Sequence, residues 1–412
     1  MQKDQAQFIK MTETPVPKLI TSLTIPTIIS MLVSAIYNIA DTFFVAKLGT
    51  SASGAVGIVF SLMAVIQAIG FTLGMGSGSL ISRLLGAKKN EKANEMASTG
   101  FFTAIIFGVL LALFGIINLD ALMRALGSSD SILPLAKSYA KYILIAAPVM
   151  CASFVLNNIL RSEGKARFAM MGIASGSIIN IFLDPILIFK FDMGISGAAI
   201  ATMVSQMISF LILLSSVLRG VTISKLSIKY MSKKFSTYCL IIKTGLPSFT
   251  RQGLASVSTV LLNLCAVGYG DAAVAALSIF SKIFMFIFSA VIGFGQGFQP
   301  VVGYNYGAEK YDRVRESCFF TIKVGMIIMS FCAVIGFIFA PQIINLFIAD
   351  DLEVINIGTS CLRAQCIAMP IIPICTVCNM TFQFMDSYFI IFNKTRTMFY
   401  TDFIYRKCNI WP

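Results

Sequence analysis

Two carboxylates stand where the chain is otherwise oil-soluble. Asp41 lies in Asn38-Ile39-Ala40-Asp41-Thr42-Phe43-Phe44, and no charged residue precedes it back to Leu19. Asp184 lies in Asn180-Ile181-Phe182-Leu183-Asp184-Pro185. A carboxylate at membrane depth costs about 2.5–3.5 kcal/mol on insertion scales, so such acids need partners and mark ion or proton pathways. Asn180 precedes Asp184 by one helical turn and shares its face. Pro185 brings no amide proton, which leaves the Ile181 carbonyl without its helical donor. Thr202 lies about two turns into the next apolar run. Two carboxylates, an amide, a hydroxyl and a freed carbonyl are the oxygen ligands a hard cation takes. Protonation is the other chemistry open to the pair, since two neighbouring carboxylates do not both ionise cheaply. The residues leave both open, beside the plainer alternative that the acids only cap polar helix contacts.

These groups can meet only if membrane-spanning helices carry them. The chain has 412 residues, of which 57% are hydrophobic and 12% charged, where a water-soluble protein carries about a quarter charged residues. Leu48–Ser82, Met96–Leu119, Met193–Leu218, Val324–Ala349 and Ala364–Met385 contain no Asp, Glu, Lys or Arg. About 20 apolar residues of helix cross a bilayer core about 30 Å thick, so an all-α polytopic membrane protein is predicted. The spans fall at 19–45, 54–81, 97–118, 138–160, 168–189, 194–218, 239–268, 272–303, 318–340 and 358–383. The first is too long for a signal-peptide core and is expected to stay in the membrane. Spans one and five run in the same direction, which puts Asp41 and Asp184 at similar depths near the same surface.

The formal charge of +13 is placed by topology and not by nucleic acid. Lys and Arg crowd alternate loops: Lys3, Lys10 and Lys18; Arg83, Lys88, Lys89 and Lys92; Arg161, Lys165 and Arg167; Arg219 to Lys234; Lys310, Arg313 and Arg315. Basic loops face the cytoplasm, so the amino terminus is predicted inside. Within the stretch 219–243, Lys225, Lys229 and Lys233 would share one helical face against anionic headgroups; a solvated loop is the alternative. The chain has no histidine, which excludes Ser-His and Cys-His catalysis and the HExxH zinc motif. Its ten cysteines include one Cys375-x-x-Cys378 pair, and a zinc site would need a second pair or histidines. No enzyme is expected.

The chain repeats itself at an offset of 221 residues. Pro26 matches Pro247, Gly49 matches Gly270, Gly74 and Gly76 match Gly295 and Gly297, and Gly86-Ala87-x-Lys89 matches Gly307-Ala308-x-Lys310. Two lobes are predicted, residues 1–219 with spans one to six and residues 220–383 with spans seven to ten. Six spans return the chain to its starting side, so the repeats are parallel. Transporters with such repeats bind substrate between the halves and rock one against the other. Pro26 and Pro247 are expected to kink spans one and seven.

The repeat plan resembles the multidrug and toxic compound extrusion (MATE) transporters. So do Ile39-Ala40-Asp41-Thr42-Phe43-Phe44-Val45-Ala46-Lys47-Leu48-Gly49 and Gly295-Gln296-Gly297-Phe298-Gln299-Pro300-Val301-Val302-Gly303-Tyr304-Asn305-Tyr306-Gly307-Ala308. The resemblance, to the bacterial branch, covers residues 15 to about 383. It implies an antiporter that exports small organic cations across the bacterial inner membrane as a monomer, driven by sodium ions or protons and using no other cofactor. It also implies that Asp41, Asn180, Asp184 and Thr202 form the cation or proton site. Asn157, Arg251, Lys282, Gln296 and Gln299 are candidates for the cleft, with helix–helix hydrogen bonding the alternative for the amides and snorkelling for the cations. A lipid-linked oligosaccharide flippase shares the plan but would be expected to have a more basic cavity. Members of the family have twelve spans. Here the residues after Asn379 depart from their expected counterpart and read Phe384-Met385-Asp386-Ser387-Tyr388 onward. Residues 384–412 are therefore expected to be a polar, aromatic tail that does not span, leaving the second lobe short, and an inactive truncated transporter is carried as a further alternative.

Overall fold

The computed structural model describes residues 2–385 apart from 268–269, 346 and 348–350. The expectations for the tail from 386 onward lie outside the described residues. Among the described residues every regular element is helical. A short α1 (Gln2–Glu13) precedes α2 (Val16–Ala46), α3 (Thr50–Gly86), α4 (Asn90–Ile117) and α5 (Leu119–Ala125). There follow α6 (Leu133–Ser162), α7 (Ala166–Pro185) with a π-helical extension Ile186–Lys190, and α8 (Gly194–Leu218). The rest is α9 (Phe235–Val267), α10 (Asp271–Gly307), α11 (Tyr311–Ile338), α12 (Ala340–Asn345), α13 (Leu352–Ala368) and α14 (Ile372–Met385).

Nine helical stretches among the described residues are long and apolar enough to cross a membrane, the last joining α13 and α14. The seventh expected span, 239–268, falls on α9, which is not among the nine; its 33 residues contain Pro247. Pro26 likewise lies inside an unbroken α2. This is a multi-pass membrane protein, with apolar side chains such as Phe114, Phe182, Leu211 and Phe331 turned outward. Where lipid is the solvent, only helices or closed barrels satisfy their own backbones, and a long uncharged run has one way to do so.

The segment joining α8 to α9 departs from expectation. Lys225, Lys229 and Lys233 do not share a helical face, because between 221 and 234 only Ile228–Tyr230 is helical, as a single 3-10 turn. The segment is instead pinned by side chains. Glu163 accepts hydrogen bonds from the backbone N–H of Ile223 and, at 2.9 Å, of Ser224. Asn94 accepts from Lys225 N–H at 2.8 Å, and Thr99 from Ser232 N–H at 2.9 Å. Backbone groups without a helical partner find one here.

Glu163 lies beyond the end of α6 and is wholly buried. Burial pushes its carboxyl up from 4.5 to about 7, against the opposing pull of Ser224, the Ile223 amide and Lys165. A carboxyl with a raised pKa binds its proton more readily folded than unfolded. Stability is therefore full below about pH 4.5 and falls as pH rises towards about 7, by an amount on the order of 3 kcal/mol at full ionisation. The thermal midpoint of the purified protein should drop between about pH 5 and about pH 8, and Glu163→Gln should flatten that slope.

Backbone states recur at the sequence offset. Gly49 and Gly270, which open α3 and α10, have φ of 108° and 93°, a region that favours glycine. Lys88 and Glu309, also 221 residues apart, have φ of 58° and 59°. The helices that follow these glycines meet across the molecule, backbone on backbone. A Cβ on Gly86 would lie 2.2 Å from the Tyr304 carbonyl oxygen, and one on Gly307 would lie 2.0 Å from that of Arg83. The same holds for Gly245 against the Thr72 oxygen at 1.9 Å and Gly76 against the Ile241 oxygen at 2.1 Å. This seam joins residues before 219 to residues after 235 and lies towards the basic-loop ends of α3 and α10. There the molecule is shut.

Candidate functional site

The paired acids sit at the other end. Asp41 is five residues from the end of α2, Asp184 six from the end of the π extension, and Thr202 eight from the start of α8. At 1.5 Å per residue these are depths of about 7.5, 9 and 12 Å. Helix α7 packs on both α2 and α8. The approach of α7 to α8 depends on small residues, since a Cβ on Gly176 would lie 2.8 Å from Ser209 Cβ and 3.0 Å from the Ser205 carbonyl oxygen. Pro185 ends the α-helical ladder, and the chain continues as a π turn in which Phe191 N–H donates to the Ile186 carbonyl at 3.0 Å. Single π turns in helices often mark functional sites.

The Asp41 and Asp184 side chains lie within hydrogen-bonding reach of each other. Ionised carboxylates only accept, so that contact forms when one of the two carries a proton. With its amide nitrogen towards the acid, Asn180 donates to Asp184 Oδ2 at 2.9 Å and accepts from Thr202 N–H at 3.2 Å. Turned over, it reaches Thr202 Oγ1 and Ser205 Oγ, each at 3.4 Å. All four expected residues are therefore brought together, and all are buried: Asp41 is 9% exposed, Asn180 1%, and Asp184 and Thr202 0%.

With both acids ionised, one oxygen of each, Asp41 Oδ1 and Asp184 Oδ1, is buried without a donor. Leaving such acceptors unsatisfied costs about 1–3 kcal/mol, and more for charged groups. The donor set is wholly oxygen and amide, with no sulfur or imidazole, and so suits a sodium ion or a proton. Removing the Asn180 amide should leave Asp184 Oδ2 without its donor. Asn180→Ala is therefore expected to weaken any binding of a sodium ion or proton at this pair by about tenfold or more, measured by titrating the purified protein with sodium and with acid.

Three contributors were not singled out from sequence. Tyr37 and the wholly buried Tyr139 both reach the Thr202 side chain and face the two acids, and Ser205 stands one turn from Thr202. Tyr37 lies four residues before Asp41, so the turn spacing that picked out Asn180 would have found it. Tyr139 has no such signal; it comes from α6, between Lys137 and Lys141 in sequence.

The remaining candidates lie elsewhere. Asn157, Gln296 and Gln299 are 5%, 3% and 1% exposed, packed between helices towards the basic-loop ends of α6 and α10. Asn157 Nδ2 donates to the Ala169 carbonyl at 3.1 Å, linking α6 to α7. Gln296 accepts from Arg161 Nη1, and Arg161 Nη2 donates to Asn158 Oδ1 at 2.5 Å. This arginine, expected in a basic loop, is instead buried in the last turn of α6 and ties α6 to α10 across the seam. Arg251 is half-buried on α9, and Lys282 is exposed on α10.

A membrane-embedded helical fold with a buried acid pair is compatible with a transporter, and sequence comparison names the family. The family profile described as MatE matches residues 26–186 and 247–388. The chain belongs to this family. It is 31% identical over 340 residues to the multidrug export protein MepA of Staphylococcus saprophyticus, covering 82% of this chain and 75% of that one. To MepA of Staphylococcus aureus it is 28% identical over 364 residues, covering 88% and 80%. Among solved structures, it superposes with a TM-score of 0.87 at 29% identity on one described as the outward-facing conformation of a multidrug resistance MATE family transporter of the MOP superfamily, covering 92% of this chain and 84% of that one. A MOP superfamily transporter from Pyrococcus furiosus, whose description gives its binding pocket a reverse polarity and suggests a different function, superposes with a TM-score of 0.85 at the same identity and coverage.

Proposed function

We propose that this chain is a cation-coupled antiporter that exports organic cations from the cytoplasm by alternating access, with Asp41 and Asp184 carrying the coupling ion. One observation carries the reading: two buried carboxyls meet near one end of the first six spans, each with an oxygen that lacks a donor. A sodium ion would be held by Asp41, Asp184, the Asn180 carbonyl oxygen and Thr202, while a proton would bridge the two acids. Binding either particle neutralises charge that the closed, low-dielectric site otherwise holds at cost. The site thereby gains a reason to differ between the two facings of the transporter, and a ligand shifts such an equilibrium only by its differential affinity.

The parallel-repeat plan supports this mechanism. The family profile matches from Pro26 and again from Pro247, 221 residues on (247 − 26 = 221), and the paired backbone states recur at that spacing. Residues 1–219 and 220–383 are then two lobes about an axis along the membrane normal, and the glycine seam is where they touch. The crowding of Lys and Arg at the seam end supports a cytoplasmic face there, with the amino terminus on the cytoplasmic side of a bacterial inner membrane. On this assignment the structure is closed to the cytoplasm. The relatives named multidrug export proteins support drugs as the cargo.

Ethidium accumulation in cells with and without the protein tests export directly. Removing sodium and, separately, collapsing the pH gradient identifies the ion. Accumulation indifferent to the protein in every condition would refute the reading.

A further inference from the structure

We infer that α1 is a latch that holds the basic-loop end shut by bridging the two halves, so that each opening of that end requires its release. The inference rests on the alternating access proposed above.

The amino-terminal part of α1 docks on the first half. Gln7 Nε2 donates to the Glu163 carbonyl at 2.7 Å, and Lys165 Nζ returns to Gln7 Oε1 at 3.0 Å. Asn90 Nδ2 donates to Asp4 Oδ2 at 3.1 Å, and Lys88 Nζ lies 4.5 Å over the Phe8 ring. The carboxyl-terminal end docks on the second half. A helix leaves its last four carbonyls without intrahelical donors. Here Asn305 Nδ2 donates to the Met11 carbonyl at 3.1 Å and Lys310 Nζ to that of Thr12 at 3.3 Å. Just beyond the helix, Arg313 Nη2 donates to the Thr14 carbonyl at 2.6 Å. Two of the three donors are cationic and so complement the helix dipole.

The cap is a feature of one half only. The residues 221 positions earlier are Leu84, Lys89 and Lys92, so the first half has a leucine where the second has the buried Asn305. The repeat supplies no second helix for that half to hold, and the asymmetry suits a single strap. α1 is only partly core: Gln5, Ala6, Ile9, Lys10 and Glu13 are exposed, while Gln7, Met11 and Thr12 are buried. It is a polar helix of 12 residues, a length marginal in isolation. Beside it lies a cavity of about 440 Å³ whose lining includes Asp4, Phe8, Leu85, Lys88, Ile223 and Tyr304. Its anchors run along its length, from Asp4, Gln7 and Phe8 on the first half to Met11, Thr12 and Thr14 on the second. Rocking the halves apart at this end must break one set of its bonds.

The test uses spin labels on cysteines at the exposed positions Lys92 and Glu316, in full-length protein with its native cysteines replaced, and reads distance distributions in lipid. K310M/R313M, which removes two caps, should raise the open-to-closed ratio about tenfold, the equivalent of about 1.4 kcal/mol. Gln7→Ala with Lys165→Met, which loosens the other end, should shift it in the same direction. Arg315→Met, whose guanidinium stacks on Phe319, should leave it unchanged. If the wild type shows two populations and either latch variant leaves them unmoved, the latch is refuted while alternating access stands. If no ion or pH condition yields a second population in the wild type, alternating access fails and the latch with it.

Discussion

Replacing Asp41 with asparagine should leave the chain inserted and folded and abolish export. The amide is isosteric and uncharged, so the packing of α2 against α7 is kept. What is lost is the second titratable oxygen pair of a site whose two acids are proposed to share a proton or hold a cation. Drug accumulation in cells bearing D41N should match that in cells without the protein, and ion-driven uptake into inverted vesicles should vanish. The thermal midpoint separates this role from a structural one. A buried acid with an oxygen that lacks a donor burdens the fold, so its neutral counterpart should melt at the same temperature or higher. If Asp41 only capped a helix contact, the midpoint would fall while export persisted in the surviving protein. Asp184→Asn is expected to behave like D41N, because each acid matters only through the other.

Gly245→Ala is expected to have the second large effect, and for a purely steric reason. The added Cβ would meet the Thr72 carbonyl oxygen at 1.9 Å, a backbone atom in the middle of α3 that no rotamer change can move. Overpacking costs typically 1–3 kcal/mol, and a rigid backbone contact belongs at the upper end. Since the clash exists only while α9 lies against α3, that cost falls on the shut state alone. About 3 kcal/mol shifts a two-state ratio by roughly 100-fold, enough to hold the basic-loop end open and stop turnover. Gly253→Ala on the same helix is the control, because nothing lies within 4 Å of its added Cβ. The same labelled pair at 92 and 316 reads the result, and export that continues at the wild-type rate in G245A would show that the seam need not close.

Nine of the ten expected spans, with their approximate ends, were legible because a bilayer imposes a length and a polarity that composition records directly. The residues proposed to carry the coupling ion stood out for a related reason. An acid at membrane depth is too costly to be incidental, so Asp41 and Asp184 announced themselves, and Asn180 followed from turn spacing. Tyr139 could not be found this way. It reaches Thr202 from α6, and nothing in a tyrosine's immediate neighbours says which distant hydroxyl it will face. The linker lysines misled for the opposite reason: a four-residue spacing implies a shared face only if the segment is helical. That decision was made by Glu163, Asn94 and Thr99, which offer the linker backbone better partners than its own turns. For Gln296 and Gln299 the sequence left cleft lining and helix–helix hydrogen bonding both open; in the structure they are buried near the seam, where Gln296 meets Arg161. By itself the sequence determined which segments enter the membrane and which groups are too costly there to lack a purpose. The tertiary structure alone decided which backbones touch at glycines and how α1 straps one half to the other, because those contacts depend on the relative placement of helices that no local pattern encodes.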